Sequence, residues 1–502
     1  MSLRRLIDRP LRQKVVALGV TSLLITSTLV SVAHAAVTSP TLKLMAPSEE
    51  ITMWRYGRGQ PVYMDLGFSI GALDAPFELL AQRPDYAGPQ TLTQVLYGPG
   101  AERELRTLDP ALLDGWNGLK EFFSIVFVNA DGDTIVDTKM EFCPGGYTRE
   151  RLNDNGPNIP AYPSGCYSNP FTKGVVWGID EGWAVASSSV EPPLLDIPNG
   201  HYTATVSINQ TFVDLFAIAP SDASAQIPVR IRTMTEGGCG RGCGLGTRTN
   251  SQSSRQQAQA VPTETSPSQD VLPDLIALPS WGINVENRKT RSLLTFGATV
   301  WNGGASDLVV EGFRRDGEAV MDGFQYFYDG DEVVGKAPAG DLIYDDRDGH
   351  QHWHFKQFAA YSLLDADGNE VRVSRKEAFC LAPTDAIDMT LPNAEWNPGA
   401  IGLYTACGGQ SSIWTREILP LGWGDTYFQG LPGQSFYITN LPNGTYFIKV
   451  EANPGELLYE QTAANNVELR EIVISGPAGK RKVEVPPWNG IDTEEGVGKG
   501  RG

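Results

Sequence analysis

Residues 122–143, FFSIVFVNADGDTIVDTKMEFC, and residues 358–380, FAAYSLLDADGNEVRVSRKEAFC, follow the same plan. Each has an aromatic, β-branched run, an Ala-Asp-Gly turn, a second run and then Lys-x-x-Phe-Cys. Short apolar runs broken by Gly and Asp turns are strand and hairpin signals, and helical periodicity is scarce throughout. A second pair repeats the message: DIPNGHYTATVSIN (196–209) resembles NLPNGTYFIKVEAN (440–453). A motif that recurs once, in order, at a spacing of about a domain marks duplication. The fold class expected is all-β, as two tandem β-sandwich-like domains.

Working outward, the copies are separated by CGLGTRTNSQSSRQQAQAVPTETSPSQ (243–269), which is nearly free of large apolar groups. Such a stretch buries too little surface to offset its ordering entropy and reads as a linker. The division expected is therefore 36–236, a non-catalytic β-sandwich, then 237–270, a flexible linker, then 271–476, the chemistry-bearing sandwich. The Gly-, Lys- and Glu-rich segment 477–502 is expected to be a disordered tail. Residues 1–35 stand apart, with five basic residues before an apolar run that ends on Ala33-His34-Ala35. That is the pattern of a cleaved export signal, and no second long apolar run follows, so a secreted or extracytoplasmic protein without a membrane span is expected.

Losing five basic residues and one aspartate with the signal takes the formal charge from −19 to −23. A surface this acidic argues against nucleic acid and favours cationic partners. Export also gives the six cysteines, at 143, 166, 239, 243, 380 and 407, a meaning as three local disulfide pairs. Each copy has one cysteine in its Lys-x-x-Phe-Cys segment and another further on. Asp365, Asp367 and Asn369 lack the glycine and glutamate positions of a calcium loop and read as a hairpin turn.

The copies differ in GHQHWHF (349–355), which holds three of the chain's five histidines. His350, His352 and His354 alternate, so on a strand they share a face. A straight strand would set the outer two about 13 Å apart, so binding one ion requires a bend. Imidazole suits copper, zinc, nickel and iron alike. In the Ala-Asp-Gly register the first copy has Asp114, Trp116 and Gly118 at these places, so packing alone does not demand histidine. Asp345, Asp346 and Asp348 just before them read as turn residues.

GHQHWHFKQFAAYSLLD resembles the copper-binding segment of the lysyl oxidases. The likeness continues in order through LPDL (272–275), LLTFGATVWNGGASDL (293–308), KEAFCL (376–381), GDTY (424–427), GQSFYITNLPNGTYFIKVEANP (433–454) and NNV (465–467). The resemblance implies that the second domain is a lysyl-oxidase-like catalytic domain with His350, His352 and His354 as copper ligands. It further implies that Lys376 and Tyr427 are joined into a lysine tyrosylquinone by copper and dioxygen. The activity implied is oxidation of primary amines, small or on peptidyl lysine, to aldehydes with release of ammonia and hydrogen peroxide. The first copy holds a lysine at the matching place, Lys139, whereas Trp183 falls near the position of Tyr427. The chain departs from vertebrate members at Gly349, where they have cysteine, and at Ala360, where they have histidine. The second departure leaves no obvious proton-handling group. The alternative is a secreted metal-binding or surface-interaction protein without oxidase activity; a zinc hydrolase is disfavoured because no HExxH-type base accompanies the histidines.

Overall fold

The computed structural model describes residues 39–494, except 99–101, 147, 167, 187–192, 235–266, 331, 348–350, 375, 377, 398, 400–401 and 432. The expected export signal, most of the expected linker, Cys239 and Cys243 fall outside the described residues, as does His350.

Strands dominate, as the hairpin signals predict, and the longest described α-helix is the single turn and a half Gln210–Leu215. Among the described residues no helix is long and apolar enough to cross a membrane. Residues 37–502 hold together as one compact unit.

Each sheet draws its strands from one half, and the sheets of the two halves correspond. In the first half, Thr134–Phe142, Leu119–Asn129, Gly200–Ile208, Ser224–Thr233 and Ile51–Arg55 form a five-stranded sheet in that order. In the second, Glu370–Val373, Ala359–Asp365, Gly444–Ala452, Val467–Ser475 and Lys482–Glu484 do the same. The opening hairpins form one edge of each sheet, and the first buries its aromatic rings. Phe122, Phe123, Phe127 and Phe142 are all at most 2% exposed, and each such ring contributes roughly 1.5–3 kcal/mol by leaving water.

A second sheet also matches. Gly174–Ile179, Phe77–Gln82, Thr91–Tyr97 and Arg103–Leu108 lie side by side in the first half. Trp414–Leu419, Leu308–Arg314, Val320–Asp329 and Glu332–Asp345 lie side by side in the second. The second half then adds two strands, His352–Lys356 and Ala378–Phe379. Their counterpart in the first half is a turn, closed by Asp114 N–H to Gly118 O at 2.9 Å and Asn117 N–H to Asp114 O at 2.9 Å. Gly118 has φ +111° and any side chain there would strike the Phe142 carbonyl. The left-handed residues that follow, Glu121 at φ 50° and Gln357 at φ 64°, occupy equivalent places and anchor the comparison.

The halves are in direct contact. Lys173 and Gly174 donate to the Ile387 carbonyl, and Met389 N–H returns to Gly174 O at 2.9 Å. The first half thus continues the edge of the sheet that runs Asp385–Ala386, Trp423–Tyr427, Arg291–Asn302. Lys173 also pairs with Asp388 at 3.3 Å, and Tyr162 stacks on Trp396 with centroids 5.7 Å apart.

The expected disordered tail 477–502 is corrected for its first eighteen residues. Lys482–Glu484 pairs with Val467–Ser475, Arg481 is buried and donates to Asn443 Oδ1 and Gly476 O at 2.6 Å each, and Trp488 packs on Phe171 and Tyr86 of the first half. Composition concealed this, because one arginine and one tryptophan supply the anchoring. Residues 495–502 lie outside the described residues.

Candidate active site

The histidine strand is bent at its start, as convergence of the rings requires. Gln351 adopts φ 43°, the left-handed region, immediately before His352–Lys356 begins. Within the strand the two described histidines share a face and converge. Their Nε2 atoms are 2.8 Å apart and their ring centroids 4.5 Å apart, edge to face. Two nitrogens each roughly 2 Å from a shared ion at right angles would be separated by about 2.8 Å, so this donor pair fits a metal such as copper or zinc. Among the described residues no third Cys, His, Asp or Glu completes a ligand set; His350 lies outside them.

Asp345 faces His352 across the sheet, and its Oδ2 lies 3.5 Å from His354 Nδ1. Arg347 Nε donates to the same carboxylate at 2.9 and 3.1 Å. Asp345 is thus not a solvated turn residue: it lies beside the far nitrogen of a histidine whose near nitrogen meets His352, an arrangement by which a carboxylate can fix a histidine's tautomer and orientation.

Lys376, in the loop between Glu370–Val373 and Ala378–Phe379, meets Tyr427 at the end of the strand Trp423–Tyr427. Lys376 Nζ lies over the Tyr427 ring, 4.4 Å from its centroid, and 5.1 Å from that of Phe379. Both residues are buried, at 5% and 9% exposure. The lysine is held from below: its N–H donates to Ser374 Oγ at 3.0 Å, and that hydroxyl donates to Gly433 O at 2.6 Å. Gly433 has φ +92°, and a Cβ there would sit 3.0 Å from Lys376 Cβ. The Tyr427 hydroxyl donates to Cys380 O at 3.1 Å, and the Tyr427 carbonyl accepts from Gln434 Nε2 at 2.8 Å.

The disulfides Cys143–Cys166 and Cys380–Cys407 bear out two of the three expected pairs. The second ties the metal side to the tyrosine side, because Cys407 O accepts from Trp353 N–H at 2.9 Å between the two histidines while Cys380 O takes the tyrosine hydroxyl.

Burial sets the electrostatics. It lowers the Lys376 ammonium to about 8, against the opposing pull of carboxylates led by Asp425. It raises Tyr427 well above the ordinary phenol range, helped by the charges of Asp425 and Glu417. Glu417 and Asp425 are themselves pushed up by burial. Neither carboxylate stands out in the sequence; Asp425 lies inside the GDTY segment, but nothing marks it as buried beside the lysine.

The first half is informative at each place. Its Lys139 is exposed and pairs with Glu121 on the surface. The turn glycines Gly182 (φ 73°) and Gly422 (φ 87°) are equivalent, and each is followed by tryptophan. Trp183 therefore corresponds to Trp423, not to Tyr427 as the sequence comparison placed it. By the same register Val185 stands for Asp425 and Trp177 for Glu417; both are apolar and buried.

Comparison with known proteins finds relatives over this stretch. The family model described as lysyl oxidase matches residues 341–480. Chicken (Gallus gallus) protein-lysine 6-oxidase is 32% identical over 129 residues, 25% of this chain and 27% of its own. Human (Homo sapiens) lysyl oxidase homolog 1 is 32% identical over 129 residues, 25% of this chain and 20% of its own. Pig (Sus scrofa) protein-lysine 6-oxidase is 32% identical over 131 residues, 25% of this chain and 45% of its own. The match spans less than half the length of each of these relatives. The stretch that is similar to lysyl oxidases, residues 341–480, is the one that carries the histidine strand, the buried lysine and the facing tyrosine.

Proposed function

We propose that the protein is an exported copper-dependent amine oxidase that makes its own lysine tyrosylquinone from Lys376 and Tyr427. The observation that carries this reading is the 4.4 Å approach of Lys376 Nζ to the Tyr427 ring in a buried site. Such a quinone would supply an electrophilic carbonyl and a sink for the electron pair of a primary amine, with water and dioxygen consumed and aldehyde, ammonia and hydrogen peroxide released.

The chain's own residues supply the rest. His352 and His354, with His350 preceding them, are the copper ligands, and Asp345 orients His354. Ser374 and Gly433 aim Lys376 at the face of the tyrosine ring, close enough that only a short movement joins nitrogen to ring carbon. Burial leaves the lysine close to half neutral near pH 8, and an unprotonated amine is what a nucleophile needs. Cys380 O fixes the hydroxyl, and the acidic surface draws cationic amines or lysine-rich proteins toward the chain.

The test is a peroxide assay with simple primary amines on the full chain incubated with copper in air. Peroxide and a visible quinone band are expected from the native sequence and from neither Tyr427→Phe nor His352→Ala. Peroxide production by Tyr427→Phe at the native rate contradicts the proposal; copper binding without any peroxide from the native chain favours the metal-binding reading instead.

A further inference from the structure

Joining Lys376 to Tyr427 requires the tyrosine to lose its hydroxyl proton, and that hydroxyl is sealed from bulk water. Tyr427 is 9% exposed, and Lys376, Phe379, Glu417 and Asp425 beside it are at most 5% exposed. A proton leaving it needs an acceptor inside the fold. We propose that Asp425 is that acceptor, taking the Tyr427 hydroxyl proton as the tyrosine is prepared for cross-linking. This inference rests on the reading of Lys376 and Tyr427 as partners to be joined.

Geometry selects Asp425. It lies two residues before Tyr427 on the strand Trp423–Tyr427, so both side chains share a face. Its carboxylate feels both the Tyr427 side chain and the Lys376 charge, while the Tyr427 hydroxyl rests on Cys380 O. It is 2% exposed, and Oδ2 has no hydrogen-bond partner among the described residues. An unsatisfied buried carboxylate oxygen costs stability, so one that persists needs a reason. Glu417 likewise has an unpartnered oxygen, Oε1, while its Oε2 accepts the Leu381 N–H at 3.0 Å, but it lies on a different strand, Trp414–Leu419. The duplicate supplies the control: at the equivalent place the first half carries Val185, 1% exposed, so the fold itself needs no carboxylate there.

The step is a simple proton transfer. The Tyr427 O–H bond breaks, its electron pair stays on oxygen, and the proton goes to the Asp425 carboxylate; nothing is oxidised or reduced. Burial pushes the Asp425 carboxyl well above the ordinary range, with Lys376 the main charge opposing that rise, and a carboxylate so raised is a stronger base. The titratable groups that face the pair are Lys376, Asp385, Glu417 and Tyr361, with Arg347 and Asp345 acting on Lys376 from the histidine side.

The test follows the Lys376–Tyr427 linked peptide by mass after the full chain is incubated with copper in air, against time and pH. Asp425→Asn should form it roughly tenfold or more slowly at about pH 7, with the gap closing as pH rises and hydroxide replaces the lost acceptor; Asp425→Glu should stay within a few-fold of native. Native-rate linking by Asp425→Asn, or a gap that pH does not narrow, overturns the proposal. Should Asp425→Asn lose its cooperative melt, Asp425→Ser is read by the same criteria. If the native chain itself forms no linked peptide, the Lys376 and Tyr427 reading fails and this inference with it; linking by native and variant alike removes Asp425 only.

Discussion

The two halves share the order of four strands in each of two sheets, yet only the second carries a histidine strand, a buried lysine and the tyrosine it faces. The first has an exposed Lys139 paired with Glu121, a turn at Asp114–Gly118, and apolar Val185 and Trp177. The second has a buried Lys376, a histidine strand added to the sheet, and buried Asp425 and Glu417. What differs is therefore the site, while the strands that hold it are common to both. Unpartnered buried carboxylate oxygens on Glu417 and Asp425 stand where the first half has Trp177 and Val185. Such costs are expected to collect at functional sites, where the rest of the fold offsets them.

The comparison can be broken most severely at the disulfides. Cys380 and Cys407 are 27 residues apart and Cys143 and Cys166 are 23, so replacing either pair with serine should cost a similar amount, roughly 3–4 kcal/mol. Denaturant unfolding should show nearly equal losses. Only the second replacement should also slow formation of the Lys376–Tyr427 linked peptide, because only that bridge connects the carbonyl holding Tyr427 to the one holding Trp353. Equal slowing by both would mean that the effect is loss of stability alone.

The lysines sharpen it next. Burial lowers Lys376 to about 8, whereas an unfolded lysine titrates near 10.4. A depressed folded value means that the native state binds fewer protons than the unfolded one, so metal-free stability should rise with pH from about 8 to 10.5 and be lower below that window. Lys376→Met should therefore stabilise the metal-free protein at neutral pH, by roughly 2–3 kcal/mol, and abolish that dependence. The check is chemical denaturation across the window; retention of the full dependence in Lys376→Met would place its origin elsewhere.

The smallest effect is expected at the matching surface lysine. Lys139→Met should leave peroxide production and linked-peptide yield at the native level, since its partner Glu121 is exposed and surface pairs contribute little. A clear fall in either readout would assign the first half a part in the chemistry.

Much of this was legible in the sequence because it is written locally. The hairpins announce themselves through alternating apolar residues around Ala-Asp-Gly turns, the histidine strand through three imidazoles in five residues, and two disulfides through cysteines at matching places in each copy. What was not legible depends on contacts distant in the chain. Ser374 and Gly433 cradle Lys376 across 59 residues, Asp345 gains its role by lying opposite His352 in the sheet, and Asp425 is set apart only by burial. Trp183 was placed opposite Tyr427 because residue counting ignored the turn glycines that set the true register. The tail was misjudged because average composition hides Arg481 and Trp488.

The central claim is that the fold brings a neutralisable lysine and a tyrosine together so that copper and dioxygen can join them. The most direct measurement is peptide mass after proteolysis of the full chain exported from cells grown with copper. The account predicts one species in which the peptide containing Lys376 is covalently attached to the peptide containing Tyr427, absent from Tyr427→Phe. Recovery of both peptides separate and unmodified from copper-loaded, folded protein would contradict it.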